Sequence, residues 1–136
     1  MTTLENRPAP TTDWADRPVP DSADAWLARA REVREILASD AAARDRAGET
    51  PYAEVALLKD SGLVTLLGPV AEGGGGQEWP LAYRVVREVS AGDGSIGQLL
   101  GYHYLRQAAL GGNANAIILH ASGTSLGRSM RHGWSF

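Results

Sequence analysis

The apolar positions settle into a helical rhythm soon after the start and hold it through most of the chain. In DSADAWLARAREVREILASDAAARDRAG, Trp26, Ala30, Val33 and Leu37 recur at i, i+4, i+7 and i+11, with arginines and acids between them. That spacing puts the four side chains on one face and predicts an amphipathic helix, N-capped by Asp21 or Ser22 and stopped at Gly48. Thr50-Pro51 opens a second, shorter helix, a capping residue followed by proline at the first position, which ends at Ser61-Gly62. Leu63, just past that glycine, suits the apolar contact of a glycine-terminated helix. PLAYRVVREVSAG places Leu81, Val85, Val86 and Val89 on one side and Arg84, Arg87 and Glu88 on the other, predicting a third helix closed by Gly92. Asp93 caps a fourth, mostly apolar helix over residues 94–110. The expected fold is all-α, with about half of the residues helical and no sheet.

Between and before the helices the pattern breaks down. Residues 1–20 hold Pro8, Pro10, Pro18 and Pro20 among polar residues, a composition that buries too little apolar surface to order itself. They are expected as a flexible, disordered leader with Trp14 as its one anchor. LVTLLGPVAEGGGGQEWP runs into four consecutive glycines, 73–76, and reads as a flexible surface turn. No lysine followed by Ser or Thr comes after these glycines, so the phosphate-binding P-loop arrangement is absent.

Size and charge narrow the possibilities. A chain of 136 residues with 43% hydrophobic content fits one modest domain with a real core. There is no cysteine, hence no disulfide and no thiolate metal site, in keeping with a reducing compartment. No basic start followed by an apolar run marks a secretory signal, and no apolar run approaches the roughly 20 residues that span a bilayer. A cytoplasmic protein without membrane partners is expected. All sixteen acids lie at or before Asp93, so residues 1–93 carry a net charge of −6 and residues 94–136, with Arg106, Arg128 and Arg131, one of +3. Three scattered arginines do not make a nucleic-acid footprint. His120 and His132 are too far apart for a helical metal pair, and no metal site is expected.

AGDGSIGQLLGYHYL, residues 91–105, carries the one phosphate-like motif: Gly92, Gly94 and Gly97 spell G-x-G-x-x-G. A dinucleotide turn needs a strand before these glycines and an acid about 20 residues later. Here a helix precedes them and no acid follows Asp93, so that reading fails. Gly94, Gly97 and Gly101, at i, i+3 and i+7, instead line one helix face. Each interior glycine costs roughly 1 kcal/mol relative to alanine, so something approaches that backbone closely: a tightly packed neighbouring helix or the edge of a flat ligand. Beside them Ser95, then Gln98 or Leu99, Tyr102 and Arg106 form a second stripe. Tyr102 reads either as a buried phenol with a hydrogen-bond partner or as a hydroxyl offered to a ligand. His103 points away from it.

The pieces DRAG (45–48), SGL (61–63), GGGGQEWP (73–80), VVREVSAGDGSIG (85–97) and GYH (101–103), in this order, resemble the N-terminal helical domain of the acyl-CoA dehydrogenase superfamily. Within it the chain is most similar to the flavin-dependent monooxygenase branch of the dibenzothiophene-oxidising and sulfur-acquisition type. The resemblance covers residues 24–105 and implies an acyl-CoA dehydrogenase-like N-terminal α-domain over residues 21–110. It implies a parent enzyme with a middle β-domain and a C-terminal helical bundle that builds a tetramer. Flavin, FMN or FAD, lies between those two parts, and the N-terminal domain walls the pocket of a small-molecule substrate. In this branch reduced flavin and O₂ oxygenate a sulfur compound.

By the same resemblance Tyr102 is the tyrosine near the flavin and the first catalytic candidate. Gln98 stands where the dibenzothiophene-oxidising enzyme has an active-site histidine, which favours the sulfur-acquisition subgroup. Ser95, Gly97, Gly101 and His103 belong to the substrate and flavin pocket. Most flavin contacts belong to the other two domains, so little or no flavin is expected on this chain alone. Residues 111–136 are a divergent tail with a possible final helix, ending before the β-domain. That implies an N-terminal piece of a longer enzyme, or a reading frame damaged near its end, inactive alone. Two alternatives stand beside it: an acyl-CoA dehydrogenase proper, or a free-standing helical interaction module.

Overall fold

The structure, a computed structural model, describes residues 7–109. Over these the chain is all-helical, with five α-helices: α1 (Ala23–Ala38), α2 (Ala41–Ala47), α3 (Tyr52–Asp60), α4 (Trp79–Gly92) and α5 (Gly94–Ala109). Short 3-10 turns stand at Trp14–Asp16, Leu63–Thr65 and Val70–Glu72, and no strand occurs among the described residues. The divergent tail and its possible final helix lie outside the described residues.

α1 begins as its sequence implies: the Ser22 hydroxyl accepts from the Ala25 N–H at 3.2 Å, and Trp26, Ala30, Val33 and Leu37 are buried in a row. The single helix expected up to Gly48 is, however, two helices broken at Ser39-Asp40. The last carbonyls of α1 are taken by other donors. Ser39 Oγ bonds back to the Ile36 carbonyl at 2.7 Å, and Arg44 Nη2 reaches the Leu37 carbonyl at 2.7 Å. Gly48, at φ +62°, ends α2 in the left-handed conformation that glycine adopts without strain. The second expected helix starts one residue late, because Pro51, at ψ 49°, stays outside α3 and provides no side-chain cap. Its end at Ser61-Gly62 and the burial of Leu63 are as expected.

The loop with four glycines is held in place rather than loose. Gly75 and Gln77 donate to the carbonyls of Thr65 and Leu66, and Gly76 donates to Gly68. A Cβ on Gly74 would sit 2.3 Å from the Gly68 backbone, and one on Gly75 would sit 2.6 Å from the Trp26 ring. The glycines are there because backbone passes over backbone and indole with no room for a side chain.

α1 packs most extensively on α4, and α4 on α5. α3 and the Leu63–Thr65 turn close the other side, so Trp26, Leu37, Leu58, Leu63, Val85, Val89, Ile96 and Leu100 form one core. Trp14 does anchor the segment before α1. It is 2% exposed, donates from Nε1 to Glu32 at 3.1 Å, and lies under the Arg29 guanidinium at 5.7 Å. Arg17 completes this contact by pairing with Glu32 at 2.9 Å.

Candidate functional site on helix α5

Every candidate residue of the sequence analysis lies on α5, so what places this helix places the site. A single residue, Asp93, joins α4 to α5. One of its carboxylate oxygens accepts from Ser95 N–H at 3.0 Å, Ser95 Oγ at 2.6 Å and Ile96 N–H at 3.2 Å, the capping role foreseen for it. The other accepts from Arg44 Nη1 at 2.7 Å. Burial pushes the Asp93 carboxyl up, but its bonds from Ser95, Arg44 and Ile96 outweigh this and hold its pKa below the usual value.

Arg44 is buried, and its planar fork is fully used. Nε donates to Asp40 at 2.9 Å and lies 3.4 Å from Glu54, Nη1 donates to Asp93 and Nη2 to the Leu37 carbonyl. Glu54 is 5% exposed and also takes a bond from Arg7, which reaches Asp40 at 2.5 Å. Arg44, Glu54 and Asp93 line a cleft of about 690 Å³ between α2, the start of α3 and the α4–α5 corner, together with Ser90, Gly94 and Ser95. Periodicity singled out none of Arg44, Glu54 and Arg7. One signal was present: Arg44 follows Leu37 by seven residues and so falls on the apolar stripe, where an arginine must find partners or cost dearly.

The glycines of α5 separate. A Cβ on Gly97 would meet Ser90 of α4 at 2.0 Å from Oγ and 2.7 Å from Cα, so there the close neighbour is a helix. On Gly101 it would make only an ordinary contact, 3.8 Å from Val86, and on Gly94 it would meet nothing within 4 Å. The pairs Gly97–Ser90 and Gly101–Val86 make α4 and α5 an antiparallel hairpin.

The second stripe faces outward. Ser95, Gln98, Tyr102, Leu105 and Arg106 are exposed, and Tyr102 makes no hydrogen bond among the described residues. The buried phenol is that of Tyr104, two positions on, whose hydroxyl donates to the Leu63 carbonyl at 2.6 Å. His103 turns inward and its Nε2–H donates to the Val64 carbonyl at 2.8 Å. Burial lowers its pKa, assisted by Arg106, against the opposing effect of the Val64 bond. Gln107 reaches the same carbonyl at 3.4 Å. α5 is therefore clamped on one side to the Leu63–Thr65 turn by His103, Tyr104 and Gln107, and presents Gln98 and Tyr102 one turn apart on the other. Exposed Tyr83 of α4 and Leu105 add apolar surface to the hairpin. Among the described residues no group of three or more His, Asp or Glu is placed to hold a metal ion, and no helix is long and apolar enough to cross a membrane.

The chain is similar to several curated proteins over somewhat more than half of its length. It is 49% identical over 77 residues to dibenzothiophene monooxygenase of Rhodococcus erythropolis, covering 57% of this chain and 18% of that protein. A probable FMNH2-dependent monooxygenase, SfnC, of Pseudomonas putida is 44% identical over 84 residues, 62% of this chain and 21% of that protein. The dibenzothiophene monooxygenase of Mycolicibacterium goodii is 40% identical over 81 residues, 60% of this chain and 20% of that protein. The matched region thus spans about a fifth of the length of these relatives. No protein-family model and no solved structure matches the chain.

Proposed function

We propose that this chain is the N-terminal α-domain of a flavin-dependent monooxygenase of the acyl-CoA dehydrogenase superfamily, acting in the cytoplasm on a small sulfur compound. The observation that carries the reading is the outward face of α5. A phenol and a primary amide, Tyr102 and Gln98, stand one turn apart and exposed on a helix clamped along its other side, in a domain similar to those of two kinds of monooxygenase. Polar groups on a rigid element, without hydrogen-bond partners among the described residues, fit a wall that a flavin or substrate completes. Bound flavin would supply the activation of O₂. In this reading the Tyr102 hydroxyl and the Gln98 amide bind and orient the flavin or substrate edge, Ser95 and Gly101 shape the same wall, and the Tyr83–Leu105 surface excludes water against the remaining domains. Those domains, FMN or FAD held chiefly by them, and a tetrameric assembly belong to the proposal. The monooxygenase names of the relatives favour it over a dehydrogenase, and the exposed Tyr83 and Leu105 equally suit a free-standing helical interaction module.

A chimera decides between these readings. Residues 24–105 of this chain replace the matching segment of the Rhodococcus enzyme, and dibenzothiophene oxidation with reduced FMN is measured. An active chimera in which Tyr102→Phe slows turnover by a factor corresponding to about 1–3 kcal/mol is the expected result. A folded chimera without flavin or activity would favour the interaction module. Stoichiometric flavin on the isolated 136-residue chain would show that the parts are wrongly assigned.

A further inference from the structure

The α4–α5 corner contains more polar engineering than a helix cap requires. Asp93 alone satisfies the first N–H groups of α5 with one carboxylate oxygen. Its second oxygen is spent on a buried arginine from α2, 49 residues away in sequence. That guanidinium also holds the last turn of α1 through the Leu37 carbonyl and the α1–α2 link through Asp40. We infer that Arg44 is a positioning residue for the outward face of α5, acting through the Asp93 carboxylate; its link to the chemistry rests on the function proposed above.

The physical reason lies in the lever that α5 forms. With one linking residue, the direction and helical phase of α5 are set where it starts, and a slip of one residue there rotates every side chain by about 100°. Tyr102 sits nine residues beyond Asp93, roughly 13 Å along the axis, so a small tilt at the corner becomes a large displacement at the phenol. Two contacts resist that tilt. On the inner side Gly97 lies against Ser90; on the outer side Arg44 fixes the plane of the Asp93 carboxylate. A lysine has a single donor centre and cannot reach Asp40, Asp93 and the Leu37 carbonyl in the required fork. The corner lies beside the 690 Å³ cleft rather than inside the packed core, so its geometry can change while the α1–α4 contact persists.

The test uses Arg44→Lys and Asp93→Asn in the 136-residue chain, with Arg87→Gln, an exposed arginine without an ion pair among the described residues, as control. Asparagine still caps a helix, so Asp93→Asn removes the charged link while sparing the cap. Amide hydrogen exchange at residues 95–100 is expected to quicken about tenfold or more in both variants, while Val33, Val85 and Val89 keep their protection. Arg87→Gln should change neither. The double variant should be no worse than either single one. In the chimera, turnover per flavin-loaded molecule is expected to fall by up to about 100-fold in Arg44→Lys, the size of effect that a misplacement of about 1 Å produces. Exchange that rises equally in α1, α4 and α5 would reduce Arg44 to a general stability residue and overturn the inference. So would unaltered exchange at residues 95–100, or full turnover per bound flavin. If the chimera with native Arg44 is itself inactive, the proposed function fails, whereas the exchange measurement still decides whether Arg44 places α5.

Discussion

Tyr102 and Tyr104 are the same residue type, two positions apart on one helix, yet the structure gives them opposite circumstances. Tyr104 is fully buried, its hydroxyl bonds the Leu63 carbonyl, and burial raises its pKa well above the usual value. Tyr102 is 62% exposed. Tyr104→Phe would remove a buried hydrogen bond to the Leu63 carbonyl, which keeps only the Leu66 N–H, and should cost about 0.5–1.5 kcal/mol, whereas Tyr102→Phe should stay within about 0.5 kcal/mol of the parent. Thermal or urea denaturation of the two variants measures both. A Tyr102→Phe variant that loses as much stability as Tyr104→Phe would make the outward tyrosine a core residue and remove it from the site. The sequence pattern left Tyr102 open between these roles, since a helical period of 3.6 cannot say which flank of an apolar helix meets the core first.

At the scale of the element, the α4–α5 hairpin depends on one close approach. At Gly97 a methyl group would lie 2.0 Å from Ser90 Oγ and 2.7 Å from its Cα; the hydroxyl can rotate away, but the backbone cannot. Gly97→Ala should therefore push the helices apart and cost about 1–3 kcal/mol, the usual range for overpacking. Gly94→Ala, with nothing within 4 Å, should instead stabilise by about 0.5–1 kcal/mol through lower unfolded-state entropy. Melting temperatures that move the same way in both variants would contradict the packing described. The spacing of these glycines was legible as a face needing a near neighbour, and at Gly97 that neighbour is a helix. The break between α1 and α2 was not legible. There Ser39 Oγ and Arg44 take the Ile36 and Leu37 carbonyls, and Arg44 is itself held by Asp93, a partner 49 positions away that no local window contains.

For the whole molecule, two sets of titrating groups couple pH to stability. His103 has a folded pKa below its ordinary 6.5, so the unfolded chain binds the proton more readily. The stability it contributes is present above about pH 6.5 and is lost as pH falls through the lower folded value. Asp93 and Glu32 are also depressed. Asp93 is held down against its burial by Ser95 and Arg44, and Glu32 first by Arg17 and then, against burial, by Trp14. Their contribution is present above their ordinary values of 3.8 and 4.5 and is lost as pH falls through the lower folded ones. Melting curves from pH 8 to pH 3 should thus weaken in two stages, with the first stage diminished in His103→Gln. Parallel curves for parent and variant down to pH 5 would rule out the His103 contribution.

What the amino-acid sequence determined alone is the helical class and most of the helices with their apolar stripes. Apolar period, caps and stops act within a few residues, so α4, α5, the Asp93 cap, the Ser22 cap and the all-α class can be read directly from it. Tertiary structure decided where the first long helix breaks, why the glycine loop is rigid, which glycine meets a helix and which tyrosine faces out. Three of these involve partners remote in sequence, Arg44 with Asp93, Gly75 with Trp26 and Tyr104 with Leu63, and the fourth, Gly97 against Ser90, arises only once the α4–α5 corner folds the chain back. A buried charge or an absent side chain takes its meaning only from what stands opposite it, and folding alone brings those partners together.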